Sequence, residues 1–431
     1  MSAARGDLRD PGRRLAVATV AAKNFWARVR VLARSLAAHN DGFELHSLLS
    51  DELDDRIDPV REPFSIVRLN ALGLTGGQPS RLAFGYDRKA LAAALKPMLL
   101  LKLLADGYER VLLIDADSLV LGSLQPVVEA LDEHRIVLSP HRLHPKRGVD
   151  AMPADLRLLR TGTFNGGLVG VRRSPQAREF LEWWGDRLER HCLHDVGRGL
   201  HLDQRWLDLA PGLFEGVHVL RDGRFNAAYW NLDHGVVVPD DGADAPSNGS
   251  AWRLFHFSGY DPDRPEQVTS YLPDLRVDEA GPAARLFHGY RELLLGAGQA
   301  EIAAWPYAYE RFDNGVEIPD IVRRIFHDLG EAGGRHGDPF LTAGAGSFFA
   351  WLNAPSPGAG ASRPPISNLW MEVYRRRADV RHEYPDLEGG DRLRFLEWTT
   401  QSGLREHGIP GAFSVTGGER ANGRAADCRD G

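Results

Sequence analysis

The sequence predicts an α/β fold built on a parallel-type sheet, and two observations indicate it. Strand-like apolar segments alternate with amphipathic helical segments along the first part of the chain. One of these apolar segments, residues 111–114, ends directly in two aspartates, Asp115 and Asp117. Ligands of open α/β sheets bind beyond the carboxyl ends of the strands, so we expect the functional site there.

The first elements follow from hydrophobic spacing. Apolar residues at helical intervals predict an amphipathic helix over 25–39. Strands are predicted at 15–22, 43–49 and 64–69, and the glycine-rich segment 71–81 is predicted to be a loop. Lys96-Pro97 begins the next helix, because proline fits the first helical turn, and Gly107 follows its predicted end at Ala105.

Asp115 and Asp117 are the strongest candidates for chemistry. If the strand continues through them, their side chains point to the same face and both carboxylates converge on one point. Mg²⁺ and Mn²⁺ take oxygen ligands and leave coordination positions for substrate phosphates. We therefore hypothesise a metal and diphosphate site. Lys96 either reaches this site or is an ordinary surface lysine.

Three later stretches carry further candidates. Asn165 stands between an aromatic residue and two glycines at the start of a strand, where glycines let a ligand approach the backbone. Asp203 and Gln204 place a carboxylate beside an amide. His256 ends a strand and precedes Gly259; a lone histidine is more often a core residue, but a neutral imidazole would complete a carboxylate set for Mn²⁺.

Composition excludes several classes of function. The chain has 431 residues, 43% of them hydrophobic, which is enough for two to three domains. Its 52 basic and 59 acidic residues do not favour nucleic acid or an anionic membrane as partner, and no stretch is long enough to span a membrane. Two cysteines, Cys192 and Cys428, give neither a disulfide framework nor zinc-ligand spacing, so the cytoplasm is the expected compartment.

Motifs also bear on the location and on other functions for a metal and diphosphate site. Arg13-Arg14 before the apolar segment 15–22 superficially resembles an export signal, but the segment reads equally well as a first strand. The chain lacks the glycine-rich phosphate loops of dinucleotide-binding and P-loop proteins and the Gly-x-Ser-x-Gly elbow of hydrolases. A sugar nucleotidyltransferase and a non-catalytic sugar-nucleotide-binding or interaction protein are the alternatives.

Taken together, the motifs resemble those of bacterial GT-A-fold glycosyltransferases related to family 8, which are retaining, sugar-nucleotide-dependent enzymes. The resemblance covers about residues 14–270 and implies a mixed, mostly parallel sheet. It is carried by Ala18-Thr19, Lys96-Pro97, Asp115-Ala116-Asp117, Phe164-Asn165-Gly166-Gly167, Asp203-Gln204, Tyr229-Trp230-Asn231-Leu232 and His256-Phe257-Ser258-Gly259.

The resemblance implies a role for each matched residue. Asp115, Asp117 and His256 would hold Mn²⁺ or Mg²⁺, with Asp115 also touching the donor ribose. The remaining donor-binding residues would be Ala18 and Thr19 at the base, Asn165 at the sugar, and Lys96, Gly166 and Gly259. The family commonly has a lysine soon after the histidine motif to hold the diphosphate; this sequence has Arg264 as a substitute.

The implied reaction moves a hexose from a nucleotide-diphosphate sugar, most simply a UDP-hexose, to an unknown glycan or small-molecule acceptor, with retention of configuration. Asp203 and Gln204 are the catalytic candidates. Asp203 could act as the nucleophile of a double displacement. A same-face mechanism, in which Gln204 only supports the oxocarbenium-like sugar, is the alternative.

The domain boundaries expected from the sequence are a tail at 1–13, a GT-A-like domain at 14–300, a smaller α-helical domain at 301–410 and a second tail at 411–431. The helical domain is indicated by helical spacing at 318–329, 348–352, 369–377 and 393–398, with loops such as 355–365 between them. It would either cover the acceptor side of the cleft, bind a partner, or serve packing alone.

Overall fold

The computed structural model describes residues 14–232, 251–357 and 363–413. The tail expected at 1–13 lies outside this range, as does the expected tail beyond residue 413. The chain divides into two compact units. The first comprises Met1–Gly73 and Arg88–Tyr307, and the second comprises Leu74–Asp87 and Ala308–Gly431. Residues 74–87 therefore group with the second unit, which the sequence-based boundaries did not anticipate.

The strands of the described chain all belong to the first unit. They are β1 (Leu15–Ala21), β2 (Glu44–Leu49), β3 (Ser65–Arg68), β4 (Arg110–Ile114), β5 (Ser118–Val120), β6 (Ile136–Pro140), β7 (Phe164–Arg172), β8 (His194–Asp195), β9 (Leu200–His201), β10 (Val217–Val219) and β11 (Leu254–His256).

Seven of these strands form one sheet in the order β10-β6-β7-β4-β1-β2-β3. Neighbours run parallel except at β7, which is antiparallel to both β4 and β6. β5 pairs with β11, and β8 with β9, in two separate antiparallel pairs. The expected α/β architecture with a mixed, mostly parallel sheet is thus confirmed. The central strand β4 is apolar and buried from residue 111 to 114, as expected of a strand covered on both faces.

Helices follow most strands of the first unit. They are α1 (Trp26–His39), α3 (Arg88–Ala94), α4 (Lys96–Ala105), α5 (Gln125–Glu133), α6 (Ala151–Thr161), α7 (Pro175–His191), α8 (Gln204–Leu207), α9 (Ala210–Leu213), α10 (Ala284–Gly296) and α11 (Gln299–Ile302). The predicted helix 96–105 is observed with the same bounds, and proline occupies its first turn.

The second unit is helical, as expected. It contains α2 (Gln78–Gly85), α12 (Asp320–Leu329), α13 (Phe348–Asn353), α14 (Asn368–Arg376), α15 (Ala378–Glu383), α16 (Arg392–Trp398) and α17 (Leu404–Glu406), with a π-helical turn at Thr399–Gly403. No helix in the described ranges is both long and apolar enough to cross a membrane.

The predicted loop at 71–81 is wrong in its second half, because α2 begins at Gln78. Pro79 lies in its first turn, where proline favours a helix start. Phe84 of α2 is fully buried and packs edge-on against four phenylalanines of the second unit, Phe312, Phe326, Phe340 and Phe348. This aromatic packing stabilises α2, and the glycines that precede it concealed the helix in the sequence.

Candidate active site

Asp115 and Asp117 lie in the tight turn between β4 and β5, not on a continuous strand as the sequence argument assumed. The Ser118 amide donates to the Asp115 carbonyl at 3.1 Å and closes this turn, while the Asp115 amide donates to the Gly167 carbonyl at 3.0 Å. The two carboxylates nevertheless converge, because the turn carries both side chains to the carboxyl end of β4.

His256 joins the aspartates through strand pairing. β11 runs antiparallel to β5 and sets His256 opposite Ser118, directly after the turn. Its Nε2 atom lies 3.1 Å from Asp117 Oδ1 and 3.9 Å from Asp115 Oδ2. One ligand atom from each of the three residues lies within 4.8 Å of the other two. Two carboxylate oxygens and one imidazole nitrogen at this spacing fit a single Mn²⁺ or Mg²⁺ ion.

Burial and mutual charge set the protonation of this group. Burial raises the pKa of Asp115. Burial would also raise the pKa of Asp117, but the adjacent His256 outweighs it and lowers that pKa to about 2. In turn, burial would lower the pKa of His256, and the charge and hydrogen bond of Asp117 outweigh burial and raise it. Asp117 is therefore ionised at neutral pH and available to a cation.

Lys96 forms ion pairs with both Asp115 and Asp203 and so connects the Asp115–Asp117–His256 group to Asp203. Its Nζ atom lies 2.8 Å from Asp115 Oδ1 and 2.8 Å from Asp203 Oδ2, and it donates to the Gly166 carbonyl at 3.0 Å. Burial would lower the pKa of Lys96, but the two carboxylates outweigh it and raise the pKa. Lys96 is thus a buried cation between two aspartates and not a surface lysine.

Asp203 is held where β9 leads into α8. The preceding Leu202 has a left-handed backbone, with φ of 50°, which turns the chain toward the site. Trp184 Nε1 donates to the Asp203 carbonyl at 3.1 Å and anchors the turn from α7. The Asp203 side chain is almost wholly buried, and Lys96 is its charge partner. Asp203 is therefore held against the Lys96 ammonium, which is in contact with the carboxylates of both Asp115 and Asp203.

The two glycines after Asn165 make room for side chains of the site itself. A Cβ atom at Gly166 would overlap the carboxylate of Asp203. A Cβ atom at Gly167 would lie 2.5 Å from His256 Cε1 and 2.6 Å from Asn165 Oδ1. From the sequence, these glycines are expected to let a ligand approach the backbone closely. In the structure they let Asp203 and His256 pack against β7.

Gly167→Ala is expected to weaken metal binding, because the added methyl must displace the His256 ring. Overpacking of this kind costs about 1–3 kcal/mol, and displaced ligands commonly cost about tenfold to hundredfold in metal affinity. Titration of Mn²⁺ followed by electron paramagnetic resonance checks this. Gly289→Ala is the matched control, since nothing lies within 4 Å of its Cβ position on α10. Equal Mn²⁺ affinity in the two variants would contradict the packing account.

Asn165 and Gln204 face each other across the floor of the site. Asn165 Nδ2 lies 3.3 Å from Gln204 Oε1, and Gln204 Nε2 donates to the Thr161 carbonyl at 2.6 Å. Asn165 Nδ2 also lies 3.4 Å from Nε2 of His141. Burial lowers the pKa of His141 to about 4, so this imidazole is neutral at pH 7.

These residues line a cavity of about 1080 Å³ in the first unit. Nine of the residues singled out in the sequence contribute to its wall: Lys96, Asp115, Asp117, Asn165, Gly166, Asp203, Gln204, His256 and Gly259. The wall also carries the aromatic residues Phe25, Tyr229, Trp230, Tyr260 and Tyr271 and the cations Arg88, Lys89, Arg142, Lys146 and Arg157. The cavity can therefore hold a ligand that combines negative charge with ring systems.

Three expected donor-binding residues do not line the cavity. Ala18 and Thr19 are fully buried within β1, and Val20, Ala21 and Ala22 reach the cavity in their place. Ala18 and Thr19 lie inside β1, whereas Val20 and Ala21 are its last two residues and Ala22 follows it. Arg264 is exposed and lies outside the cavity wall, so the structure does not place it with the metal site.

Among the described residues, Cys192 and the histidines near it form no group that could hold a metal ion. Cys192 is buried, and its thiol donates to the Ala90 carbonyl at 3.3 Å. His194 instead pairs with His201 across the β8–β9 hairpin, with their Nδ1 atoms 3.0 Å apart. Asn226, whose Oδ1 atom lies 3.1 Å from His256 Nδ1, was not singled out from the sequence, although the Tyr229–Leu232 motif follows it closely.

Comparison with known proteins gives partial similarities. No family model matches the sequence. The uncharacterized protein YfnF of Bacillus subtilis (strain 168) is 28% identical over 180 residues, which cover 40% of this chain and 58% of YfnF. The uncharacterized protein YfnD of the same organism is 33% identical over 103 residues, covering 23% of this chain and 33% of YfnD. The chain thus matches little more than half of the first relative and a third of the second.

Several solved structures are similar at low sequence identity. The glycosyltransferase GlyE of Streptococcus pneumoniae TIGR4 aligns with a TM-score of 0.40 and 16% identity, covering 69% of this chain and 67% of GlyE. The galactosyltransferase LgtC, solved with donor and acceptor sugar analogs, aligns with a TM-score of 0.38 and 16% identity, covering 65% and 95%. Mouse xyloside xylosyltransferase 1 aligns with a TM-score of 0.35 and 15% identity, and the alignment covers 56% of this chain and 97% of the mouse protein.

Proposed function

We propose that this protein is a metal-dependent glycosyltransferase that moves a hexose from a nucleotide-diphosphate sugar to a glycan or small-molecule acceptor. The observation that carries the proposal is the convergence of Asp115, Asp117 and His256 in one large cavity with the Lys96–Asp203 ion pair. A cation site beside a second, separately held carboxylate is what diphosphate departure and sugar stabilisation require. UDP-hexose is the donor that we propose to test first.

Mn²⁺ or Mg²⁺, when bound by Asp115, Asp117 and His256, would act as a Lewis acid that stabilises negative charge on the departing nucleoside diphosphate. The protein residues set the position of this charge. Asp115 presents one oxygen toward His256 while Lys96 engages its other oxygen. The carboxylate is therefore fixed in orientation before a donor arrives, and no reorganisation is needed as charge develops.

On the sugar side, we propose that Asp203 faces the anomeric carbon and that transfer retains configuration. In a double displacement, Asp203 would form a bond to that carbon as its bond to the diphosphate oxygen breaks. The acceptor hydroxyl would then attack the same carbon, break its bond to Asp203 and give its proton to the released diphosphate. In the alternative same-face reaction, Gln204 would only stabilise positive charge on the sugar. The Lys96 ion pair holds the Asp203 side chain in place in either case.

Asp203→Asn distinguishes these mechanisms. Loss of a covalent nucleophile is expected to lower transfer by at least about a thousandfold, since a catalytic nucleophile supplies several kcal/mol of barrier reduction. Transfer to acceptor and donor hydrolysis are both measured by release of the nucleoside diphosphate. Asp186→Asn, at an exposed position on α7, is the control and should match the wild type. Near-normal transfer by Asp203→Asn would remove the nucleophile role and leave the same-face reaction.

The location and the second unit complete the proposal. We infer a cytoplasmic protein from its cysteine usage and its lack of an expected membrane span. The second unit, Leu74–Asp87 with Ala308–Gly431, is proposed either to contribute to acceptor or partner binding or to serve packing.

A further inference from the structure

A chain of side-chain amides links the metal site to the sugar side of the cavity. We call it the amide relay; it consists of Gln204, Asn165 and Asn226. Asn226 is fully buried, and its Oδ1 atom lies 3.1 Å from Nδ1 of His256. Its Nδ2 atom lies 3.1 Å from Asn165 Oδ1 and 3.2 Å from Ser139 Oγ. Asn165 Nδ2 in turn faces Gln204 Oε1 at 3.3 Å.

The backbone fixes the direction of every hydrogen bond in the amide relay. The Gly167 N–H can only donate, and it lies 2.8 Å from Asn165 Oδ1, so that atom must be the oxygen. The Asn226 atom that approaches this oxygen must then be its NH₂ group. The other end agrees independently, because the Thr161 carbonyl can only accept and therefore binds the NH₂ group of Gln204.

This direction determines the proton on His256. Because the NH₂ group of Asn226 is committed to Asn165 and Ser139, its oxygen is what faces the imidazole. An oxygen acceptor requires Nδ1 of His256 to carry a proton. When the imidazole is neutral, Nε2 then has a free lone pair, and Nε2 is the atom that faces Asp117 and Asp115.

The backbone of Asn226 is built for this contact. Its φ of 54° is left-handed, a conformation that asparagine tolerates better than most residues. The next residue, Ala227, forms a parallel bridge with Phe255, and its carbonyl accepts from the His256 amide at 2.7 Å. The chain therefore runs alongside β11 and delivers the Asn226 amide to the far side of the His256 ring.

We infer that Asn226 is a positioning residue that holds His256 with Nδ1 protonated and directs the Nε2 lone pair at the metal site. The inference rests on the proposed function only in taking Asp115, Asp117 and His256 as metal ligands. Groups that orient a ligating histidine typically contribute about tenfold to hundredfold to metal affinity. Through Asn165, the same contacts fix Gln204, so the metal side and the sugar side share one hydrogen-bonded frame.

Asn226→Gly tests the inference, since glycine keeps the left-handed backbone and removes only the side chain. Mn²⁺ affinity is measured by the electron paramagnetic resonance signal of the free ion, with and without UDP. We expect the dissociation constant for Mn²⁺ to rise about tenfold to hundredfold. Ser139→Ala is the control, because Ser139 contacts Asn226 but not His256, and its Mn²⁺ affinity should stay within about threefold of the wild type.

The outcomes separate the two proposals. If the wild type binds Mn²⁺ and Asn226→Gly binds it with the same affinity, the positioning role is contradicted and the metal site stands. No Mn²⁺ binding by the wild type contradicts the metal site itself. If Asn226→Gly fails to fold, ¹⁵N-histidine NMR of the wild type with Mg²⁺ and UDP decides instead. We expect a proton on Nδ1 of His256 and none on Nε2; the reverse tautomer overturns the inference.

Discussion

Asp117→Asn is expected to abolish metal-dependent transfer while leaving the fold intact. Asparagine keeps the size of the side chain but removes the charge that Asp117 brings to the metal site, where its Oδ1 atom lies 3.1 Å from His256 Nε2. A metal acting as Lewis acid supplies several kcal/mol of stabilisation to the departing diphosphate. Its loss corresponds to a decrease in turnover of about a thousandfold or more. Nucleoside diphosphate release at saturating Mn²⁺ is the measurement.

Asp263→Asn is the control for this experiment. Asp263 is an exposed aspartate that does not line the cavity, so its replacement should leave turnover unchanged. Thermal unfolding of both variants establishes that they are folded. Turnover by Asp117→Asn within about tenfold of the wild type would show that this aspartate holds no catalytic metal, since that change is only about 1.4 kcal/mol of barrier.

Lys96→Met is expected to cost both stability and activity. Methionine preserves most of the aliphatic volume of lysine but removes the cation shared by Asp115 and Asp203. Breaking a buried ion pair by deleting one partner typically costs about 3–5 kcal/mol, because a charge is left buried without compensation. Asp115 and Asp203 would then repel each other or take up a proton. Urea unfolding measures the loss of stability, and donor turnover should fall by more than about a hundredfold.

Lys102→Met provides a matched control on the same helix, α4. Lys102 pairs with Asp106 at 2.8 Å one turn later, and both side chains are partly exposed. Exposed pairs at this spacing contribute about 0.5 kcal/mol or less. If the two lysine variants unfold at the same urea concentration, the Lys96 cation does not bridge the two walls of the site.

Residues that carry chemistry at a strand end could be predicted from the sequence. Asp115, Asp117 and His256 each follow an apolar segment, and the rule that ligands bind beyond strand ends placed them at one edge. The reason given for the convergence of the aspartates was wrong, since they occupy a turn and not a strand. The conclusion survives because β4 and the turn after it carry both side chains to the same place.

The amide relay could not be predicted, because its contacts arise only in three dimensions. Asn226 lies 61 residues from Asn165 and 30 residues from His256 in the chain. In a sequence, a single asparagine is typical of an ordinary turn, so Asn226 did not stand out as a functional residue. Only the pairing of β11 with β5, and the bridge from Ala227 to Phe255, brings the amide to the imidazole.

Two further differences concern β1 and α2. The base-contacting pair was placed at Ala18 and Thr19 by resemblance, and in the structure both residues are buried within β1 and do not line the cavity. The helix α2 was not predicted, because Gly73, Gly76 and Gly77 directly before it indicate a loop. Its apolar side packs into the second unit, a contact too distant in sequence to be seen in a local pattern.

Donor binding tests the central claim most directly. Isothermal titration calorimetry of the wild type with a panel of nucleotide sugars, first with Mn²⁺ and then with a chelator, measures whether the cavity holds a nucleotide-diphosphate sugar through a metal. We expect one donor, a UDP-hexose, to bind with Mn²⁺ and to lose its binding when the metal is removed. Donor binding with the same affinity in the presence of the chelator, or no binding by any donor, would contradict a metal-dependent glycosyltransferase and favour an interaction protein.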